Sequence, residues 1–154
     1  MTPALYRWLA AAATPFALGY LWWKGRHGEG YRDNLPERLG HVPVLDSSTH
    51  PVWVHAASLG EVRAVRPLVE GLLAAGYAVH LTTNTPTGRA AAQDALADRI
   101  TLSYAPFDTP AAVKRFLNAI QPSAAVQVEL ELWPQRLMAL AKRGANVAIV
   151  NARL

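Results

Sequence analysis

The chain has 154 residues, 51% of them hydrophobic and 17% charged, with a formal net charge of +4. This composition excludes a disordered chain, and the absence of cysteine excludes a disulfide framework and a Cys-based metal site. The length suits one domain with a real core, and no run of Lys and Arg is dense enough to point to nucleic acid.

Residues 1–24 stand apart. "LYRWLAAAATPFALGYLWW" is apolar and aromatic, is interrupted by Arg7 and Pro15, and is followed by "KGR". The apolar run from Trp8 to Trp23 is roughly one residue short of the usual lower limit for a spanning helix. A cleaved signal peptide fits poorly, because the apolar part before the alanines is too short for an h-region. Trp8, Tyr20, Trp22 and Trp23 resemble an interfacial belt, with Lys24 and Arg26 on its cytoplasmic side. The segment predicts a membrane anchor, shallow or barely spanning; the alternative is an ordinary core helix ending in Trp.

Residues 25–51 are polar, rich in Gly and Pro, and predict a connector. From 52 the pattern is regular. Strands are expected at "VWVHAAS", "YAVHLTTN", "ITLSYAP", "SAAVQVE" and "NVAIVNA". Helices are expected at "RPLVEGLLAAG", "TGRAAAQDALAD", "TPAAVKRFLNAIQ" and "PQRLMALAKRG". Strands alternating with helices of this length predict an α/β domain over 52–154, with a Rossmann-like parallel sheet covered on both faces.

Ligands of such sheets collect at the carboxyl ends of the strands. That rule selects Ser58, Gly60 and Glu61 after the first strand and Thr83, Thr85, Thr87 and Gly88 after the second. Asp108 follows the third strand, Glu129 and Glu131 the fourth, and Asn151 and Arg153 the fifth. Asp108 before "TPAAV" reads as a helix N-cap, and Thr85 or Thr87 is a further cap candidate. A hydroxyl-rich turn at a helix start is also a ready anion site. His55 and His80 lie inside strands without metal-ligand spacing, so core histidines are expected rather than ligands. There is no G-x-G-x-x-G and no Walker A motif, and no cofactor or metal is expected.

The glutamates carry the chemistry. Glu129 and Glu131 are two apart, which puts both on one face of an extended strand end, where their repulsion asks for a cation, a proton or a substrate. Glu61 follows a glycine that lets the backbone turn sharply. Pro67 argues that the next helix begins near Arg66, leaving Glu61 in a loop at the mouth of the cleft, placed to act as a general base.

The segments "GYRDNLPERLG", "WVHAASLGEVRAVRPLV", "LTTNTPTG", "FDTPAAVKRFLNAIQPSAAVQVELELWP" and "NARL" together resemble the Kdo transferase family. These 3-deoxy-D-manno-octulosonic acid transferases act in lipid A and lipopolysaccharide biosynthesis. The family usually shows "ETELWPN" and "SVGE"; here Leu130 replaces the Thr, Gln135 replaces the Asn, and "SLGE" stands for "SVGE". No carboxylate is lost.

The resemblance implies the N-terminal half of a two-domain GT-B glycosyltransferase at the cytoplasmic face of the inner membrane. This half would hold a lipid A precursor as acceptor, while a C-terminal half would hold most of the CMP-Kdo donor. The chain alone is then expected to be an inactive fragment. By the same resemblance Glu61 is the proton acceptor, and Glu129 or Glu131 stabilises the transition state. Ser58, Gly60, Thr83, Thr85, Thr87, Gly88, Asn151 and Arg153 are the candidate substrate contacts. Two rivals remain at this point: a GT-B-like sugar-nucleotide epimerase, and a non-catalytic membrane-bound module that binds lipid or sugar.

Overall fold

The computed structural model describes residues 2–28, 30–129 and 133–151. Five strands, β1 (Val52–His55), β2 (Val79–Thr83), β3 (Thr101–Tyr104), β4 (Ala124–Val128) and β5 (Asn146–Val150), form one parallel sheet in the order β3-β2-β1-β4-β5. The expected alternation of strand and helix is present, and the sheet is Rossmann-like.

A parallel sheet is covered on both faces, so its central strands must be apolar on both sides. Every residue of β1 and β2 is buried. Helices α3 (Leu59–Ala74) and α4 (Pro86–Leu96) cover one face, packing Val62, Val65, Val69, Ala92 and Leu96 on Val52, Val54, Val79 and Leu81. Helices α5 (Pro110–Ile120) and α6 (Pro134–Lys142) cover the other, packing Val113, Phe116, Leu117, Ile120 and Leu140 on Trp53 and Ala125. The alternation of Val52, Trp53 and Val54 between these two clusters is the period-two pattern of a strand.

Two local expectations are corrected. Helix α3 starts at Leu59, seven residues before Arg66, and runs through Pro67. The proline is tolerated because it faces solvent, where water can serve the carbonyl it leaves unpaired, while Val62, Val65 and Val69 bury the opposite stripe. Asp108 does not cap α5; Thr109 does, its hydroxyl accepting from Ala112 N at 3.3 Å. The buried Asp108 carboxylate instead accepts from Gln135 N and Arg136 N, both at 2.9 Å, and so closes the start of α6.

The N-terminal segment is one helix, α1 (Pro3–Lys24), with Pro15 inside it. Among the described residues no helix is long and apolar enough to cross a membrane, which removes the barely spanning form of the anchor. Tyr6 Oη near its start donates to Asp108 Oδ2 at 2.7 Å. Burial pushes the Tyr6 phenol upward, and the bond to Asp108 adds to that. Near its end Trp22 O accepts from Arg32 Nε at 2.8 Å, and the Arg32 guanidinium lies 4.3 Å from the Trp22 ring. Leu5, Trp8, Leu9, Phe16, Tyr20, Trp22 and Trp23 are exposed.

The expected connector is folded onto the domain. A single-turn helix, α2 (Leu35–Arg38), ends near Gly40, whose φ is +83° and where a Cβ would sit 2.1 Å from Ala112 O. Only glycine fits there.

His80 lies within hydrogen-bond distance of Thr101 Oγ1 (2.7 Å) and Ser103 Oγ (3.0 Å), with its ring edge-on to Phe116. Burial lowers its pKa to about 4. The unfolded chain, with an ordinary imidazole near 6.5, binds more protons than the fold between these values, so stability should fall as pH drops from about 6.5 towards 4. Replacing His80 with Asn should flatten that part of the acid limb in urea-unfolding midpoints measured against pH. An unchanged limb would assign it to other groups.

Candidate active site

Strand β1 sits between β2 and β4, and the chain leaves β1 towards β2 while β4 lies on its other side. The carboxyl ends of β1 and β4 therefore border the crevice where ligands of open α/β sheets bind. The register pairs His55 with Gln127, so Ala57 and Glu129, each two residues further on, leave the sheet side by side.

Glu61 stands in the first turn of α3, not in a loop. Ser58 is the N-cap: its hydroxyl accepts from Glu61 N at 3.4 Å and donates to Glu61 Oε1 at 2.8 Å. Glu61 Oε2 accepts from Ala57 N, also at 2.8 Å. This is a variant of the capping box: the N-cap Ser58 serves the Glu61 N–H, and Glu61 reaches back to the N–H of Ala57, one residue before the cap. A carboxylate has about four lone-pair positions, so the two bonds fix its orientation and leave acceptor capacity over. Gly60 was expected to enable a sharp turn. It lies instead inside the helix without a positive φ, and a Cβ there would meet nothing closer than Ser58 Oγ at 3.9 Å. Its effect is to leave the first turn of α3 bare beside Glu61.

The threonine turn divides. Thr85 caps α4, accepting from Gly88 N at 3.1 Å, and the exposed Thr87 donates to Thr85 Oγ1 at 3.3 Å. Thr83 and Gly88 lie inside the packing rather than at an open surface. The Thr83 hydroxyl donates to Ala57 O at 3.0 Å, and a Cβ on Gly88 would stand 2.4 Å from Thr83 Oγ1. Their part is to hold the start of α4 against the end of β1.

Glu129 is half-buried at the end of β4, in the left-handed region with φ +60°, and its N–H donates to Val150 O at 2.9 Å. A non-glycine residue there costs on the order of 1–3 kcal/mol, and such strain gathers at functional sites. Asn151 is also left-handed and lines, with Val128, Val150 and residues Ala64, Val65 and Leu68 of α3, a groove of about 340 Å³. Glu131 and Arg153 lie outside the described residues. Among those described, no group of three His, Asp or Glu side chains is placed to hold a metal ion. His55 and His80 are both buried; His55 Nδ1 is 2.9 Å from Thr82 Oγ1, which also accepts from Trp53 Nε1.

Residues 33–154 match the family model described as 3-Deoxy-D-manno-octulosonic-acid transferase (kdotransferase). The chain belongs to this family. It is 34% identical to the 3-deoxy-D-manno-octulosonic acid transferase of Bordetella pertussis, covering 99% of this chain and 38% of that protein. Against the enzyme of the same name from Haemophilus influenzae it is 37% identical, covering 80% and 30%. A probable mitochondrial 3-deoxy-D-manno-octulosonic acid transferase of Arabidopsis thaliana is 30% identical, covering 97% and 34%. The chain thus spans about a third of the length of these curated relatives.

The Kdo transferase match begins at Asp33, which takes in most of the segment that its polarity marked as a connector. That segment supplies residues that sequence reasoning missed. The Glu37 carboxylate accepts from Arg89 Nη1 at 2.6 Å, Arg89 Nη2 at 3.2 Å and Tyr104 N at 2.7 Å. Buried Arg38 donates to Asn84 O at 2.9 Å, and burial lowers its pKa. The guanidinium carbons of Arg38 and Arg89 lie 4.2 and 4.9 Å from the Tyr104 ring. The sequence signal was a charged pair, "ER", set between Pro36 and Gly40 in an otherwise loop-like stretch.

Two truncations test these contacts by urea unfolding. Glu37→Ala leaves Tyr104 N and Arg89 without their acceptor and should cost roughly 1.5–3 kcal/mol, the range for hydrogen bonds to charged groups. Ser58→Ala should cost about 1 kcal/mol, the usual loss for an N-cap. A Glu37→Ala midpoint equal to that of the parent chain would mean that α2 is not fastened to β3 in solution.

Proposed function

We propose that the chain is the acceptor-binding, N-terminal half of an inverting GT-B glycosyltransferase that moves Kdo from CMP-Kdo to a glucosamine hydroxyl of a lipid A precursor. The observation that carries the reading is Glu61: a carboxylate fixed at the switch point of the sheet, in the family's matched region, beside a helix turn kept bare by Gly60. The names of the relatives, each a 3-deoxy-D-manno-octulosonic acid transferase, support the sugar.

In the proposed reaction the acceptor oxygen attacks the anomeric carbon of Kdo as the bond to the phosphate of CMP breaks. Glu61 takes the hydroxyl proton, and CMP leaves with the bonding pair. A single in-line displacement inverts the anomeric centre. Glu129 or Glu131 stabilises the positive charge that develops on the sugar. The left-handed backbone at Glu129 is the support for a placed carboxylate there. The groove along α3 and the ends of β4 and β5 offers an apolar wall to the acceptor. Helix α1, apolar on its exposed side, ending in Lys24 and followed by Arg26 and Arg32, would lie in the inner membrane's cytoplasmic interface rather than cross it.

Glu61→Gln separates base from cap. The glutamine oxygen can still accept from Ala57 N, while its NH₂ group can donate to Ser58 Oγ, so the capping box survives and stability should move by no more than about 1 kcal/mol. In a polypeptide joining this chain to a C-terminal donor half, turnover should fall about 10²-fold or more with acceptor binding little changed. The isolated chain should transfer no Kdo. Near-normal turnover by Glu61→Gln would reduce Glu61 to a cap and move the search for the base to Glu129 or Glu131.

A further inference from the structure

A groove of about 330 Å³ runs between α5 and α6, on the sheet face opposite α3. Its floor is apolar, made of Val113, Leu117, Met138 and Ala139. Its rim brings together three cations from three helices: Arg7 of α1, Lys114 of α5 and Lys142 of α6. None of the three makes an ion pair or hydrogen bond with another described residue, and no carboxylate lines the groove. Arg143 at the same rim is engaged, donating to Leu117 O and Asn118 Oδ1.

A second observation is independent of surface charge. Gln135 also lines the groove, is 5% exposed, and has its Nε2 buried with no hydrogen-bond partner. A buried donor left unmatched is costly, so it points to an acceptor that belongs there. The nearby Asp108 carboxylate is no competitor. It is closed off by Tyr6 Oη, Gln135 N and Arg136 N, with Arg136 Nε 4.0 Å away. Three free cations and one orphan donor around an apolar floor describe a seat for an anion that carries apolar substance with it.

We infer that the α5–α6 groove binds the phosphate of an anionic glycerophospholipid, with the glycerol and first methylenes on the Val113–Met138 floor. The inference rests on reading α1 as an interfacial helix. Arg7 lies on the same helix that exposes Leu5, Leu9, Phe16, Tyr20 and Trp23, so the bilayer that receives those side chains is the one that supplies headgroups to the groove. A bare inorganic ion would match the cations and leave the floor unused.

The test uses the full 154-residue chain and sedimentation with vesicles of phosphatidylcholine, alone or mixed with phosphatidylglycerol. Binding to phosphatidylcholine alone reports α1; the increment on adding phosphatidylglycerol reports the groove. The pair Lys114→Gln and Lys142→Gln should lower the increment by roughly 25-fold, about fivefold for each charge removed near an anionic surface. Gln135→Leu changes no charge and removes the buried orphan donor without opening a cavity; it should still lower the increment severalfold. The control pair Arg63→Gln and Arg99→Gln removes the same charge from the other side of the sheet and should leave the increment intact.

Equal losses in both pairs, or an unaffected Gln135→Leu chain, would overturn the site in favour of diffuse attraction. Saturable binding of inorganic phosphate or glycerol 3-phosphate with no phosphatidylglycerol increment would assign the groove to a soluble phosphate and overturn the lipid. A chain that ignores phosphatidylcholine yet keeps a groove-dependent increment would refute the reading of α1 and sustain the groove.

Discussion

The carboxyl edge of this domain hangs on the backbone of one residue, Ala57. The Ala57 N–H donates to Glu61 Oε2, while its carbonyl accepts from Thr83 Oγ1 at 3.0 Å and from Asn84 N at 2.9 Å. A strand that has just left the sheet would otherwise carry unpaired polar groups into a buried turn, which is costly. Glu61 satisfies the donor and the start of the threonine turn satisfies the acceptor. The carboxylate proposed as the base is therefore also the group that completes the turn. The cap and the proposed base make the same geometric demand on it: an acceptor side chain held at the start of α3.

A second cluster braces the far side of that edge. Tyr104, at the end of β3, lies against two guanidinium groups, and its N–H is bound by the carboxylate that neutralises one of them. Arg38 reaches Asn84 O, the residue after Thr83, so α2 and the Ala57 turn are tied to one short piece of chain. Segment 30–41 is thus fastened to the β2–β3 end of the carboxyl edge.

Much of the fold was legible, because parallel strands must be apolar on both faces and the helices between them show a plain 3.6-residue pattern. Errors arose where a long-range contact overrides a local signal. Pro67 reads as a helix start by its chemistry alone, but the apolar stripe of Val62, Val65 and Val69 carries the helix past it. Asp108 reads as the cap of the next helix, yet its carboxylate serves a helix that begins 26 residues later. At the site, topology named the residues of the edge but not which way each faces. Thr83 and Thr85 look alike in sequence, whereas one hydroxyl is sealed in the packing and the other is half-exposed.

The bond between Tyr6 and Asp108 spans 102 positions of chain, and the carboxylate is oriented by backbone donors at 135 and 136. Helix α1 is made before the domain it docks on, and the partner that fixes it is complete only after α6 has begun to emerge. At the usual pace of about 5–20 residues per second, that leaves α1 several seconds without its protein neighbour. Its exposed tryptophans and phenylalanine are available throughout that interval. On the proposed interfacial reading of α1, the order of synthesis lets the helix meet a membrane before it meets its own domain.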